Sequence, residues 1–181
     1  MDGSKFGPGD SPVVGKLYEE MKAKGQVLDA TLTIYDQMDK RRIAKPTAPP
    51  GYCTGDLAYR LTDQARRMGV VVTAGTDGFG PAEDPWPSLY GELELLVDKA
   101  HFTPLEAIRA ATGGAALSVR HDLDFGTIAP GQLANLVFTA EDPSADIRAL
   151  RTLTLTVKRG IAFPRVDYNP QADQAARRDD F

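Results

Sequence analysis

Asp77 is the residue of this chain best placed to do chemistry. It stands two residues past an apolar run, Val70-Val71-Val72-Thr73-Ala74-Gly75, and is followed by Gly78. A run without polar alternation marks a strand covered on both faces, as in a parallel sheet. At the C-terminal end of such a strand a carboxylate can bind a divalent cation and can accept a proton from water. Aspartate before glycine is also an ordinary turn, and local spacing does not decide between the two. The loop from Thr76 to Pro87 is long for a strand-to-helix connection, and long loops at that end usually carry function. Phe79, Trp86 and Tyr90 border it. They can line an apolar substrate pocket or pack the loop onto the next helix.

Other candidate groups are sparse. A zinc site takes three or more protein ligands, and the chain has two histidines and one cysteine. His101 falls between helical segments, and His121 falls near a change from helix to strand. Neither ends a strand, so surface or boundary roles suit them better than ligation. A lone Cys53 excludes an internal disulfide and, with no histidine near it, reads as a core or boundary residue. Hydrolysis by paired carboxylates without metal would join Asp77 to Glu83 or Asp84, at a separation the loop sequence does not fix. The glycines at 75, 78 and 80 are wrongly spaced for a dinucleotide fingerprint. Glu92 and Glu94, in the helix after the loop, read as a solvated or capping face, with Glu92 close enough in sequence to support the loop.

The elements that must hold Asp77 alternate. Ser11-Pro12 opens a helix in which Val13, Val14, Leu17, Tyr18 and Met21 recur at helical spacing, and Gly25 closes it. Val27 to Tyr35, rich in β-branched and aromatic residues, predicts a strand. Lys40, Arg41, Arg42 and Lys45, ahead of Pro46, predict a solvated basic loop. A helix from about Asp56 to Met68, stopped by Gly69, leads into the apolar strand. Helix, strand, helix, strand is the alternation of an α/β fold. Thr103-Pro104-Leu105-Glu106 is a capping box with proline at the first helical position. Beyond Arg120 come short strands: Ala134 to Ala140, then Leu153 to Lys158, turned by Arg159-Gly160 into Ile161 to Phe163.

Composition bounds the partners. Apolar content of 42% with 25% charged residues is that of a globular chain able to bury a core. A net charge of −4 argues against nucleic acid as the main partner. No apolar stretch approaches the ~20 residues needed to span a membrane. The N-terminus MDGSKFGPGDS has no apolar signal core, which leaves a cytoplasmic location as the expectation.

Taken together, Thr73-Ala74-Gly75-Thr76-Asp77, then Leu89 to Leu96, Thr103 to Thr112, Gly126-Thr127-Ile128-Ala129-Pro130-Gly131-Gln132-Leu133-Ala134-Asn135-Leu136-Val137 and Val157-Lys158-Arg159-Gly160 resemble the amidohydrolase superfamily. The nearest branch is the imidazolonepropionase- and prolidase-like one, and the resemblance covers about residues 11 to 163. It implies the C-terminal portion of a (β/α)8 TIM barrel over 1–119, strands of a small β-sandwich over 120–165, and a flexible tail over 166–181. Val27–Tyr35 then resembles barrel strand seven and Val70–Gly75 strand eight. Asp77 matches the family's strand-eight aspartate, which binds metal and shuttles the proton of the attacking water. The implied activity is hydrolysis of C–N bonds in an amide, cyclic amide or dipeptide, with a divalent metal, zinc in the first place. The His-x-His pair, the strand-four lysine or glutamate and the two later histidines that hold this metal in the family have no counterpart here. By that resemblance the chain alone would be inactive. It would need a complementary N-terminal half, or it would serve as an interaction module or homo-oligomer. Asn135 departs from the family's usual aspartate at a structural position.

Overall fold

The computed structural model describes residues 10–43, 54–78, 86–119 and 124–166. In chain order these form α1 (Pro12–Ala23), β1 (Val27–Asp29), α2 (Leu32–Ile43), α3 (Gly55–Met68), β2 (Val71–Thr73), α4 (Ser88–Asp98), α5 (Pro104–Arg109), a π-turn (Ala110–Gly114) and α6 (Ala115–Val119). Then follow β3 (Leu136–Thr139), a 3-10 turn (Ile147–Thr152), β4 (Leu153–Lys158) and β5 (Ile161–Pro164). β1 and β2 pair in parallel, with Val27 opposite Val71 and Asp29 opposite Thr73. β3, β4 and β5 form an antiparallel sheet in that order. The architecture is α/β.

Local chemistry explains most boundaries. Ser11 Oγ accepts from the Val14 amide at 3.3 Å and starts α1 at Pro12. The buried Gln64 side chain ties that start to α3. It accepts from Ser11 N and donates to Ser11 O, each at 3.0 Å. Thr54 caps α3 through the Leu57 amide, and Gly69 ends it at φ 76. The capping box on α5 is complete, with Thr103 N donating to Glu106 and Glu106 N to Thr103 Oγ1.

One predicted element is corrected. The strand expected over Val27–Tyr35 stops at Asp29, the chain turns at Thr31 with φ 47, and Leu32–Ile43 is helix. The basic run is therefore not a loop: Lys40, Arg41 and Arg42 occupy the last turn of α2, where cations complement the helix dipole. Lys45 and Cys53 lie outside the described residues, as do His121 and residues 167–181.

The core gathers Tyr18, Leu32, Ala65, Val70, Val72, Leu93, Leu96, Phe102 and Ala107 between the parallel strands and their helices. The helix formed by α5 and α6 lies directly on β2, and the missing side chain of Gly114 leaves room for this approach. A Cβ at Gly114 would stand 2.9 Å from the Val72 carbonyl oxygen and 3.2 Å from that of Arg109. Gly114→Ala is accordingly expected to cost about 1–3 kcal/mol through overpacking, read as a lower urea midpoint. Gly113→Ala, where the nearest atom is 3.5 Å away, is the control that should leave the midpoint in place.

The antiparallel sheet docks through the 3-10 turn. Ile147 is buried in the core, Arg151 Nε meets Glu94 Oε1 at 2.7 Å, and Arg148 pairs with Asp98. The β4–β5 hairpin turns through Arg159 at φ 51 and Gly160 at φ 82, the left-handed pair that matches strand twist. Asn135 Oδ1 accepts from Arg159 N at 2.9 Å, so this side chain fastens the turn.

Candidate functional site

β1 and β2 end side by side, and the residues that follow them make the only concentration of strand-end polar groups around Asp77 among the described residues. Asp77 is exposed, with its backbone at φ 40. A non-glycine residue in the left-handed region is uncommon, and such outliers collect at functional sites. Its loop is anchored on both sides. Ala74 N donates to Ala110 O at 3.3 Å and Gly75 N to Asp29 Oδ1 at 2.7 Å. Thr76 Oγ1 donates to Gly78 O at 3.2 Å, and Ser88 Oγ reaches Thr76 Oγ1 at 3.4 Å.

Two carboxylates complete the arrangement, Glu92, which its sequence position put near the loop, and Asp29, which sequence reasoning did not single out. Asp29, the last residue of β1, crosses to the end of β2 and accepts the Gly75 amide. Glu92 of α4 has no solvent exposure and crosses the other way. Its Oε1 accepts from Leu32 N at 2.8 Å, and its Oε2 accepts from Thr33 N at 2.7 Å and Thr33 Oγ1 at 2.6 Å. Glu92 is therefore the N-terminal cap of α2, supplied from another helix; of the solvated and capping roles expected for it, the structure shows capping, in a buried setting. Burial pushes its carboxyl above the usual glutamate range. The Thr33 hydroxyl and the Leu32 and Thr33 amides pull the other way without winning. Glu94 faces Arg151.

Trp86 and Tyr90 meet in a tilted ring contact, with centroids 5.0 Å apart at 59°. The Arg165 guanidinium lies 3.8 Å over the Trp86 ring and that of Arg151 6.0 Å from Tyr90. The pair thus joins the start of α4 to the antiparallel sheet. Phe79, Glu83 and Asp84 lie outside the described residues. His101 is exposed at φ 58, just before α5. Among the described residues no three His, Cys, Asp or Glu side chains are grouped closely enough to hold a metal ion. The described side chains therefore do not by themselves fit the divalent metal that the resemblance implies.

Among the described residues, grooves open on the surface at several places. One, about 500 Å³, lies against Val70, Val71 and Val72 and is lined by Phe102, Leu117 and Phe125. A smaller one of about 190 Å³ includes Asp29, Thr31 and Tyr35. A third lies between α1, β1 and α6. Asp77, Trp86 and Tyr90 line none of the three.

The comparison with known families decides the kinship. Residues 20–162 match the model of the amidohydrolase family. The chain belongs to that family. Ochratoxinase from Aspergillus niger is 28% identical over 167 residues, covering 88% of this chain but 34% of the relative. Imidazolonepropionase from Pyrobaculum arsenaticum is 43% identical over 76 residues, covering 41% of this chain and 18% of the relative. The crystal structure of A. niger ochratoxinase superposes with a TM-score of 0.69 at 27% identity, over 86% of this chain and 36% of that one. A Xaa-Pro dipeptidase with bound methionine gives a TM-score of 0.68 at 20% identity, over 83% and 37%. This second likeness speaks for the fold alone. The amidohydrolase chain thus spans about a third of the length of the relatives it matches over most of its own length. None of its described helices is long and apolar enough to cross a membrane.

Proposed function

We propose that this chain is the C-terminal part of an amidohydrolase that cleaves a C–N bond in an amide, cyclic amide or dipeptide, with Asp77 as its contribution to the reacting centre. The observation that carries the reading is the place of Asp77: exposed, left-handed, two residues beyond a parallel strand and anchored on both sides. There the carboxylate can take a proton from the attacking water and return it to the departing nitrogen, as a positioned general base and acid does. Residues 1–119 then belong to the end of a TIM barrel and 120–165 to a share of a β-sandwich. Trp86 and Tyr90 border the substrate side. A divalent metal such as zinc would draw its other ligands from polypeptide outside this chain.

The test is an assay of two zinc-supplemented proteins, this chain alone and the chain produced with the coding sequence directly upstream, against N-acyl amino acids, cyclic amides and Xaa-Pro dipeptides. The longer protein is expected to hydrolyse one of these classes, and the 181-residue chain none. Turnover by the short chain, lost on Asp77→Ala, would overturn the division of labour.

A second reading, a non-enzymatic module that folds against a complementary half or another copy, is favoured by the antiparallel sheet. Cross-strand register puts Leu136, Phe138, Leu155, Val157, Ala162 and Pro164 on one face. Phe138 is 46% exposed, and on the opposite face Ile161 is 63% exposed. Apolar surface of this kind marks contact sites. A sharp, concentration-independent unfolding of a monomer would count against this reading.

A further inference from the structure

We infer that Asp29 is a positioning residue, whose carboxylate fixes from the neighbouring strand the backbone that carries Asp77. The inference rests on Asp77 being the working carboxylate, as proposed above.

The geometry is specific. Asp29 is paired with Thr73 in the parallel register, and the ladder continues by one bond, from Ala30 N to Thr73 O at 3.3 Å. Past that point no backbone bond joins the two strand ends among the described residues. The Asp29 side chain takes over, accepting the Gly75 amide at 2.7 Å. It also fills the space where residue 75 would carry a side chain. A Cβ there would stand 2.5 Å from Oδ2 and 2.7 Å from Cγ, well inside contact distance. Glycine at 75 is thus the complement of aspartate at 29. Two residues later Asp77 holds φ 40, a left-handed conformation that aspartate tolerates better than most residues and that an anchored loop can hold in place.

The crossing is reciprocal. Asp29 leaves the first strand to hold the loop of the second, and Glu92, beyond the second loop, holds the backbone that follows the first strand. Each strand-end loop therefore takes an anchor from the other half. Displacing Asp29 should shift Asp77 rather than merely loosen the sheet.

A merely structural role would lower stability and leave Asp77 where it is. The deciding measurement is therefore local, made on this chain by amide-resolved NMR. In Asp29→Ala the Gly75 amide is expected to exchange at least about tenfold faster, because its acceptor is gone. The backbone shifts of Asp77 should also move away from left-handed values. Asp29→Asn keeps one acceptor oxygen and should restore part of both. Gly75→Ala should displace Asp77 from the other side. Unchanged Gly75 exchange and unchanged Asp77 shifts in Asp29→Ala would overturn the inference. If that variant does not fold, unchanged Asp77 shifts in Gly75→Ala would overturn it equally.

In the hydrolytically active longer protein, Asp29→Ala should lower kcat by about 10- to 100-fold, the range expected of a misplaced group, with KM held within about twofold. Asp77→Asn separates the two proposals. Displacement of Asp77 in Asp29→Ala together with full hydrolysis by Asp77→Asn would sink the role of Asp77 and leave the positioning intact. Hydrolysis lost in Asp77→Asn with no displacement in Asp29→Ala would sink the positioning alone.

Discussion

Asp77→Asn in the zinc-supplemented longer protein is expected to lose about 10²- to 10⁴-fold in kcat, the usual contribution of a positioned proton-transfer group. Its unfolding free energy should stay within about 0.5 kcal/mol of wild type, as for surface changes that remove no packing. The substitution is close to isosteric, so the shape of the loop is kept. Asparagine also tolerates the left-handed region, so φ 40 at this position remains accessible. Among the described residues no hydrogen bond or ion pair holds the Asp77 side chain, and its exposure means no cavity is left behind. What the amide lacks is the capacity to take a proton at neutral pH. A steady-state assay paired with a urea titration checks both halves of the expectation. Full turnover in the variant would remove Asp77 from the chemistry. Lost turnover with a matching loss of stability would make its role structural instead.

The legible parts of this fold are those whose causes are local. Ser11-Pro12, Thr103-Pro104-Leu105-Glu106 and Gly69 bound their helices with chemistry contained within a few residues, and each stands where its spacing predicts. The apolar run before Asp77 is a parallel strand, and Arg159-Gly160 turns a hairpin. The family resemblance drawn from Thr73 to Gly160 agrees with the match over residues 20–162.

The failures share one physical cause: their determinants lie far away in sequence. Nothing at Ala30 or Thr31 announces a helix, because the cap of α2 is a glutamate about 60 positions downstream. With no local stop, β-branched Thr33 and Ile34 read as a continued strand. That error hid Asp29 as well, since a residue inside a nine-residue strand has no strand end to serve. Glu92 stayed between a solvated and a capping role for the same reason, as its partners are not on its own helix. The π-turn at Ala110–Gly114 packs Gly114 on Val72 of β2, a contact that its neighbours in sequence do not announce. A long-range clue did exist: Gly75 and Gly114, two glycines whose missing side chains make room for other segments.

Glu92→Ala should destabilise the chain by about 3 kcal/mol, because it strips buried helix-start amides of their acceptor, each unsatisfied group costing about 1–3 kcal/mol. Leu32 and Thr33 are both buried, at 0% and 7% exposure, so bulk water does not replace the carboxylate without rearrangement. Glu92→Gln isolates the hydrogen bonding from the volume. Its amide offers one acceptor where two backbone donors wait, and it turns a donor toward the second, so it too should lose stability. The pH dependence carries a sign that a surface carboxylate would not show. Burial raises the Glu92 carboxyl above its usual range in the folded chain, so folding favours the protonated group relative to the unfolded chain. The stability linked to this raised value is fully present below the unfolded glutamate range and is lost as pH rises through the folded one. The protonated form keeps its contacts by donating to Thr33 Oγ1 while its oxygens still accept the two amides. The advantage of wild type over Glu92→Gln in urea midpoint should therefore be greatest in mild acid and shrink as pH rises. An advantage that instead grows with pH would show that the cap works as a stabilised carboxylate, with burial the weaker force.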